Sequence, residues 1–154
     1  MRWWVQWLSG SLAAGATLFL VGAAFFYLLV PVFAPDIPPQ FKANPALYRP
    51  WPGWTRPYMA LHPFVYGIAF AAVFLGLRQW SAFPAGVRGG LVYGAGVFVV
   101  GSLPVYLLAF ASFQVSPEVI LSWIAQSLAQ YALAGMALGC VCDGASVRVR
   151  TILP

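Results

Sequence analysis

The chain has 154 residues, room for one domain, and only 7 % of them are charged while 62 % are hydrophobic. An ordinary soluble domain carries roughly 25 % charged residues, and a domain this small has too much surface for its volume to hide so much apolar area, so a water-soluble globule is excluded and lipid must cover the excess. The net charge of +5 does not make a nucleic-acid binder, because the basic residues are scattered between apolar runs and form no stripe that could follow phosphates.

The first apolar run predicts a helix over about residues 9–30, with Pro31 and Pro35 as its stop. A stretch of about 20 apolar residues suffices to span a hydrocarbon core about 30 Å thick. Arg2 and the triplet Val32-Phe33-Ala34 imitate a cleaved signal peptide. The run is long for a signal core, however, so it reads as a retained helix.

Residues 31–61 follow as a loop. Nine of the thirteen prolines fall between Pro31 and Pro63, together with Tyr48, Trp51, Trp54 and Tyr58. Proline at that density forbids a regular helix or a central strand. The aromatic content argues against a disordered linker. The segment reads as an ordered extramembrane cap with its rings at headgroup level.

A second helix is expected over 62–80, with Pro63 in the first turn, where no backbone N–H is needed. The residues from Ser81 turn the chain back into a third helix, 86–111, rich in glycine and interrupted by Pro104, which is expected to kink it. The fourth helix, 117–141, has the clearest start. Ser116 suits an N-cap, Pro117 the first helical position, and Glu118 the positive helix end. Asp143-Gly144 is its expected stop. The expected fold is thus an all-α, four-transmembrane-helix bundle forming a single integral membrane domain over 1–154.

Arg2, Arg78, Arg88, Arg148 and Arg150 fall on the side of the termini, against Lys42, Arg49 and Arg56 on the other. The positive-inside rule then predicts a multi-pass membrane protein with both termini in the cytoplasm. A faint repeat, Gly22 to Leu29 against Gly101 to Leu108 and His62 to Val65 against Ser116 to Val119, suggests two related helical hairpins.

Four features are candidates for function. Gly86, Gly90 and Gly94 recur every four residues on the third helix, as do Gly135 and Gly139 on the fourth. Such rows let helix backbones approach closely, within this bundle or against another subunit. Ser122, Gln126 and Gln130 share one face of the fourth helix. They serve either as interhelical hydrogen-bond partners or as the lining of a polar pocket for a small ligand or lipid. Ser127 and Tyr131 flank them, and Tyr27, Tyr66, Tyr93 and Tyr106 offer further hydroxyls. His62, the only histidine, either caps a helix or ligates a haem or pigment from one side, with Met59 or water opposite. Finally, Arg49, Trp51, Trp54 and Arg56 alternate with prolines in the cap, a composition suited to binding a partner subunit or anchoring to headgroups.

Cys140 and Cys142 stand two apart on a helix and face opposite ways, so neither a bridge nor a shared metal is expected. The carboxylates Asp36, Glu118 and Asp143 lie at helix ends or in a loop. Neither a nucleophile–base pair nor a metal set is readable. A non-catalytic protein with no required cofactor is expected.

The hairpin from Gly90 through Gly101 to Pro104, with Ser116-Pro117-Glu118-Val119 and the Ala134-Gly135 to Gly139 stretch, resembles a group of small four-helix bacterial integral membrane proteins of unknown function. The likeness covers residues 60–142. It implies the fold and no activity. The reading of function is an accessory or scaffolding subunit of a larger membrane complex. The alternatives are a ligand- or lipid-binding protein using the polar stripe and a pigment- or haem-binding subunit using His62.

Overall fold

The computed structural model describes residues 3–29, 56–80, 84–112 and 117–150. Helix α1 spans Trp3–Ala24 and runs on into a π turn, Phe25–Leu29. Helix α2 spans Arg56–Trp80. Helix α3, Gly86–Ser112, is regular to Val97, passes through a π turn at Phe98–Ser102 and resumes as an α-helix from Leu103. Helix α4 spans Pro117–Arg150. Each of the four contains a stretch long and apolar enough to cross a bilayer. Most of their large apolar side chains face outward, among them Leu20, Val65, Val73, Val100 and Leu133. In water that would be ruinous; against acyl chains it costs nothing.

Three helix boundaries depart from expectation. Helix α1 begins at Trp3, about a turn and a half before the apolar run, and Trp3 stacks on Trp7 with ring planes 3° apart. Helix α2 begins at Arg56, so Pro63 lies inside it. An internal proline removes one hydrogen bond, but spanning helices tolerate it where neighbouring groups pack around the gap. Here Gly15 of α1 crosses directly over the backbone of Pro63 and Phe64. Helix α4 does not stop at Asp143-Gly144 but continues to Arg150. One glycine inside a helix costs only about 1 kcal/mol, too little to end a helix by itself. Pro117 does stand at the first helical position of α4.

Neighbouring helices run antiparallel. Gly10 meets Ala71 and Leu138, Gly15 meets Phe64, and Gly22 meets Gln130. Helix α1 therefore packs between α2 and α4, and α4 packs between α1 and α3. Helices α2 and α3 are consecutive in the chain, yet their backbones stay apart. The core is small: Ala14, Leu18, Phe70, Ala71, Phe74, Leu75, Tyr93, Ala134, Leu138 and Cys142. The link between α2 and α3 hinges on Gly86, whose φ of 69° falls in the left-handed region open to glycine. Of the two glycines that begin the repeated segments, Gly22 abuts Gln130 and Gly101 has open space beside it.

Candidate functional site: a hydroxyl cluster where the third helix leaves the bundle

The site depends on how α3 is fastened. In its first half, Gly90 and Gly135 face each other so closely that a Cβ on either would come within 3.0 Å of the other's carbonyl oxygen, a separation real Cβ atoms essentially never show. Gly94 sits equally close to the Tyr131 carbonyl, and Gly139 to that of Gly86. All five glycines of the two predicted rows thus meet in one seam between α3 and α4, in an orientation that suits Cα–H···O contacts. A second crossing of the same kind joins α1 and α2, where a Cβ on Gly67 would stand 2.7 Å from the Gly15 nitrogen. No glycine row at Gly67 and Gly15 is visible in the sequence, because one glycine from each of two helices leaves no period.

The second half of α3 is fastened differently. After the π turn none of Leu103–Ser112 is buried, and contact with α4 becomes sparse. The irregularity expected at Pro104 takes the form of this π turn just upstream. The Leu103 N–H donates to Phe98 O, five residues back. The next rung would run from residue 104 to Val99 O, and proline has no N–H to supply it.

Where α3 departs, hydroxyls gather. The Tyr106 hydroxyl is hydrogen-bonded to Ser127 Oγ across α3 and α4. The Tyr131 hydroxyl lies in interaction range of Ser102, Tyr66 and Tyr106. The rings of Tyr66 and Tyr131 stand 5.9 Å apart, and Phe70 closes the floor with its ring 6.0 Å from that of Tyr131. Ser127 is buried, while Tyr66 is 45 % exposed and forms the open edge. Of these residues Ser102 is new. A lone serine in an apolar run carries no motif that would single it out.

The polar stripe on α4 divides. Gln130 donates to the Leu18 carbonyl of α1 at 2.9 Å and lies against Gly22, where a Cβ would come within 2.5 Å of its amide nitrogen. Ser122 donates to Val119 O of its own helix at 2.7 Å. The amide nitrogen of Gln126 lies 3.9 Å from the same Gly22 Cβ position. Gln130 and Gln126 thus face α1, while the hydroxyl cluster faces α2 and α3. These are adjacent sides of α4, about 100° apart around its axis.

His62 is exposed on α2, inside the helix and not at its mouth, with its ring 5.7 Å from Tyr66. It sits above the cluster, one turn from its rim. Arg49, Trp51 and Trp54 lie outside the described residues; of Arg56 only the backbone is described, as the first residue of α2. Tyr93 lies behind the Phe70 floor, donating to Phe70 O at 2.8 Å, and Tyr27 is exposed. Cys140 is exposed and Cys142 buried, on opposite faces of α4. Among the described residues no three His, Cys, Asp or Glu side chains come together.

No protein-family model matches the chain, and comparison with curated proteins and with solved structures gave no match.

Proposed function

We propose that the chain is a non-catalytic accessory or scaffolding subunit of a membrane complex, and that the free half of α3 is where a membrane-spanning helix of its partner packs. One observation carries this reading. The same helix that locks its first half to α4 through glycines buries nothing in its second half, and Gly96 just before the π turn and Gly101 within it face open space. Small residues with nothing opposite let a second backbone approach as closely as α4 does at Gly90. The cap residues Arg49, Trp51, Trp54 and Arg56 would add contacts outside the bilayer. The kinship with small four-helix bacterial membrane proteins belongs to the same proposal. So do the placement in a bacterial cytoplasmic membrane, which rests on that kinship, and the cytoplasmic termini, which rest on the basic-residue bias and are testable by cysteine labelling from either side.

The test is photocrosslinking in native membranes from a benzophenone side chain at Val100 or Leu107, with Val73 on α2 as the control; all three are exposed. A discrete protein adduct from the two α3 positions and none from Val73 is the expected result. Lipid adducts alone at all three positions would remove the subunit reading.

A second reading has a specific observation in its favour. The hydroxyl cluster leaves polar groups at the lipid boundary, as a ligand-binding protein would, although not on the stripe that the sequence suggested. Haem or pigment ligation by His62 has only the exposure of that ring behind it.

A further inference from the structure

We infer that the cluster of Tyr66, Ser102, Tyr106, Ser127 and Tyr131 is a lateral binding site, open to the bilayer, for the head of an uncharged amphiphile bearing a hydroxyl or carbonyl group. This goes beyond the subunit reading and does not depend on it. Val100 and Leu107 would meet a partner on the outward side of α3, whereas the cluster lies on the side turned toward α2 and α4.

The argument begins with depth. Tyr131 and Ser127 sit near the middle of the Pro117–Cys142 span, and Ser102 near the middle of Gly86–Ser112. A hydroxyl there has no water to bond, and an unspent donor or acceptor is costly. Serine can turn its proton back onto a carbonyl of its own helix, but a tyrosine hydroxyl is too far from its own backbone. Three tyrosine protons must therefore be spent on other groups. Tyr106 and Ser127 bond each other, and Tyr131 has Ser102 and Tyr66 in range. Each hydroxyl brings one donor and two acceptor lone pairs. Five of them gathered around Tyr131 and the Tyr106–Ser127 pair still hold acceptor capacity that a ligand hydroxyl would fill, and donors that a ligand carbonyl would accept from. Pro104, which has no N–H to donate, removes one backbone rung of α3 at the same depth.

The chemistry of the ligand follows from the lining. The side chains that line the cluster carry neutral hydroxyls and rings and no formal charge. An ionised head would be desolvated there without a counter-charge, which is prohibitive. A pure hydrocarbon would leave the hydroxyls as they are and gain nothing over the bulk lipid. A neutral head with an apolar tail satisfies both ends, since Val105 and Leu108, exposed beside the site on α3, offer apolar surface to the tail. The rings of Tyr66 and Tyr131, tilted 50° to each other, give the head an apolar wall. Three features coincide here: the half of α3 that buries nothing, the missing hydrogen-bond rung, and the hydroxyls. That coincidence separates this cluster from an ordinary interhelical bond such as that of Gln130, which is sealed against Gly22.

The test uses the full chain in bicelles with three photoreactive diazirine probes of equal length: hexadecanol, hexadecanoate and hexadecane. Hexadecanol should label residues around Ser102 to Leu108 or Ser127 to Tyr131 in saturable fashion, and the other two should not. Tyr106→Phe and Ser127→Ala should each weaken saturation by about threefold, in line with the modest worth of a hydrogen bond in lipid. Gln130→Leu, whose amide is turned away to the Leu18 carbonyl of α1, should leave labelling unchanged while shifting the thermal transition. Because Tyr106→Phe keeps the ring, unchanged circular dichroism and elution will show that it folds. Equal labelling by hexadecane, preferential labelling by hexadecanoate, or saturation that survives the double variant Tyr106→Phe/Ser127→Ala in a folded protein would each overturn the inference.

Discussion

Helix α3 has two neighbours and meets them by opposite means. Toward α4 it presents Gly90 and Gly94 and brings backbone onto backbone. Toward α2 it presents Tyr93, whose ring lies 4.6 Å from that of Phe70 and 5.2 Å from that of Phe74, and whose hydroxyl reaches the Phe70 carbonyl. One side is closed by leaving side chains out, the other by putting a large one in. In lipid, where apolar burial from water no longer drives helices together, packing contact and hydrogen bonds are what remain. The glycine seam maximises contact along the backbone. The tyrosine bridge spans a gap that the backbones leave open, and adds a directed bond.

The two sides should therefore fail under opposite substitutions. Gly90→Leu has the largest expected effect. The new side chain would run into the Gly135 carbonyl, which is backbone and cannot swing away, so α3 and α4 must separate. A loss of about 3 kcal/mol or more is expected, at or beyond the upper end of overpacking penalties, read as unfolding in bicelles. Near-native stability of this variant would show that the seam is looser than described. Next comes Tyr93→Ala, which adds no bulk and removes the bridge. Ring-to-alanine changes cost about 3–5 kcal/mol in soluble cores. Here only packing is lost and no transfer from water, so about 2–3 kcal/mol is expected, with Tyr93→Phe falling to about 0.6 kcal/mol for the hydroxyl alone. If Phe and Ala proved equally damaging, the bond and not the ring would be the essential element. The smallest effect belongs to Gly96→Ala on the open face. A Cβ there meets nothing within 4 Å, and alanine is the better helix former, so stability in detergent should stay level or rise by up to about 1 kcal/mol. A marked drop in native membranes with none in detergent would point to a covered face and sharpen the subunit reading.

The glycine rows were readable because a period of four on each helix writes the seam into one dimension. The crossing of Gly15 with Gly67 was not, because it takes one glycine from each helix and only the fold aligns them. The stripe Ser122, Gln126 and Gln130 was readable as a face, yet its partner was not. Whether Gln130 lines a cavity or closes on Leu18 depends on Gly22 of α1, which vacates the space. The hydroxyl cluster was the least legible. Its members come from α2, α3 and α4, and Ser102 carries no motif. Helix ends were misread where local punctuation, Pro63 and Gly144, was taken as decisive. Gly144 costs about 1 kcal/mol and Pro63 about 3 kcal/mol for the lost bond and the ring's clash, and the rest of each helix outweighs it.

What the sequence determined alone is the number and approximate placement of the spans. Hydrocarbon admits backbone only with its hydrogen bonds made internally, so runs of about 20 apolar residues have one answer whatever surrounds them. What the tertiary structure decided is which face of each helix meets which neighbour. It also decided where α3 parts from α4, and hence that five hydroxyls from three helices stand together. Those outcomes turn on contacts between residues far apart in the chain, and in a medium that rewards all apolar faces alike, no local pattern could have chosen among them.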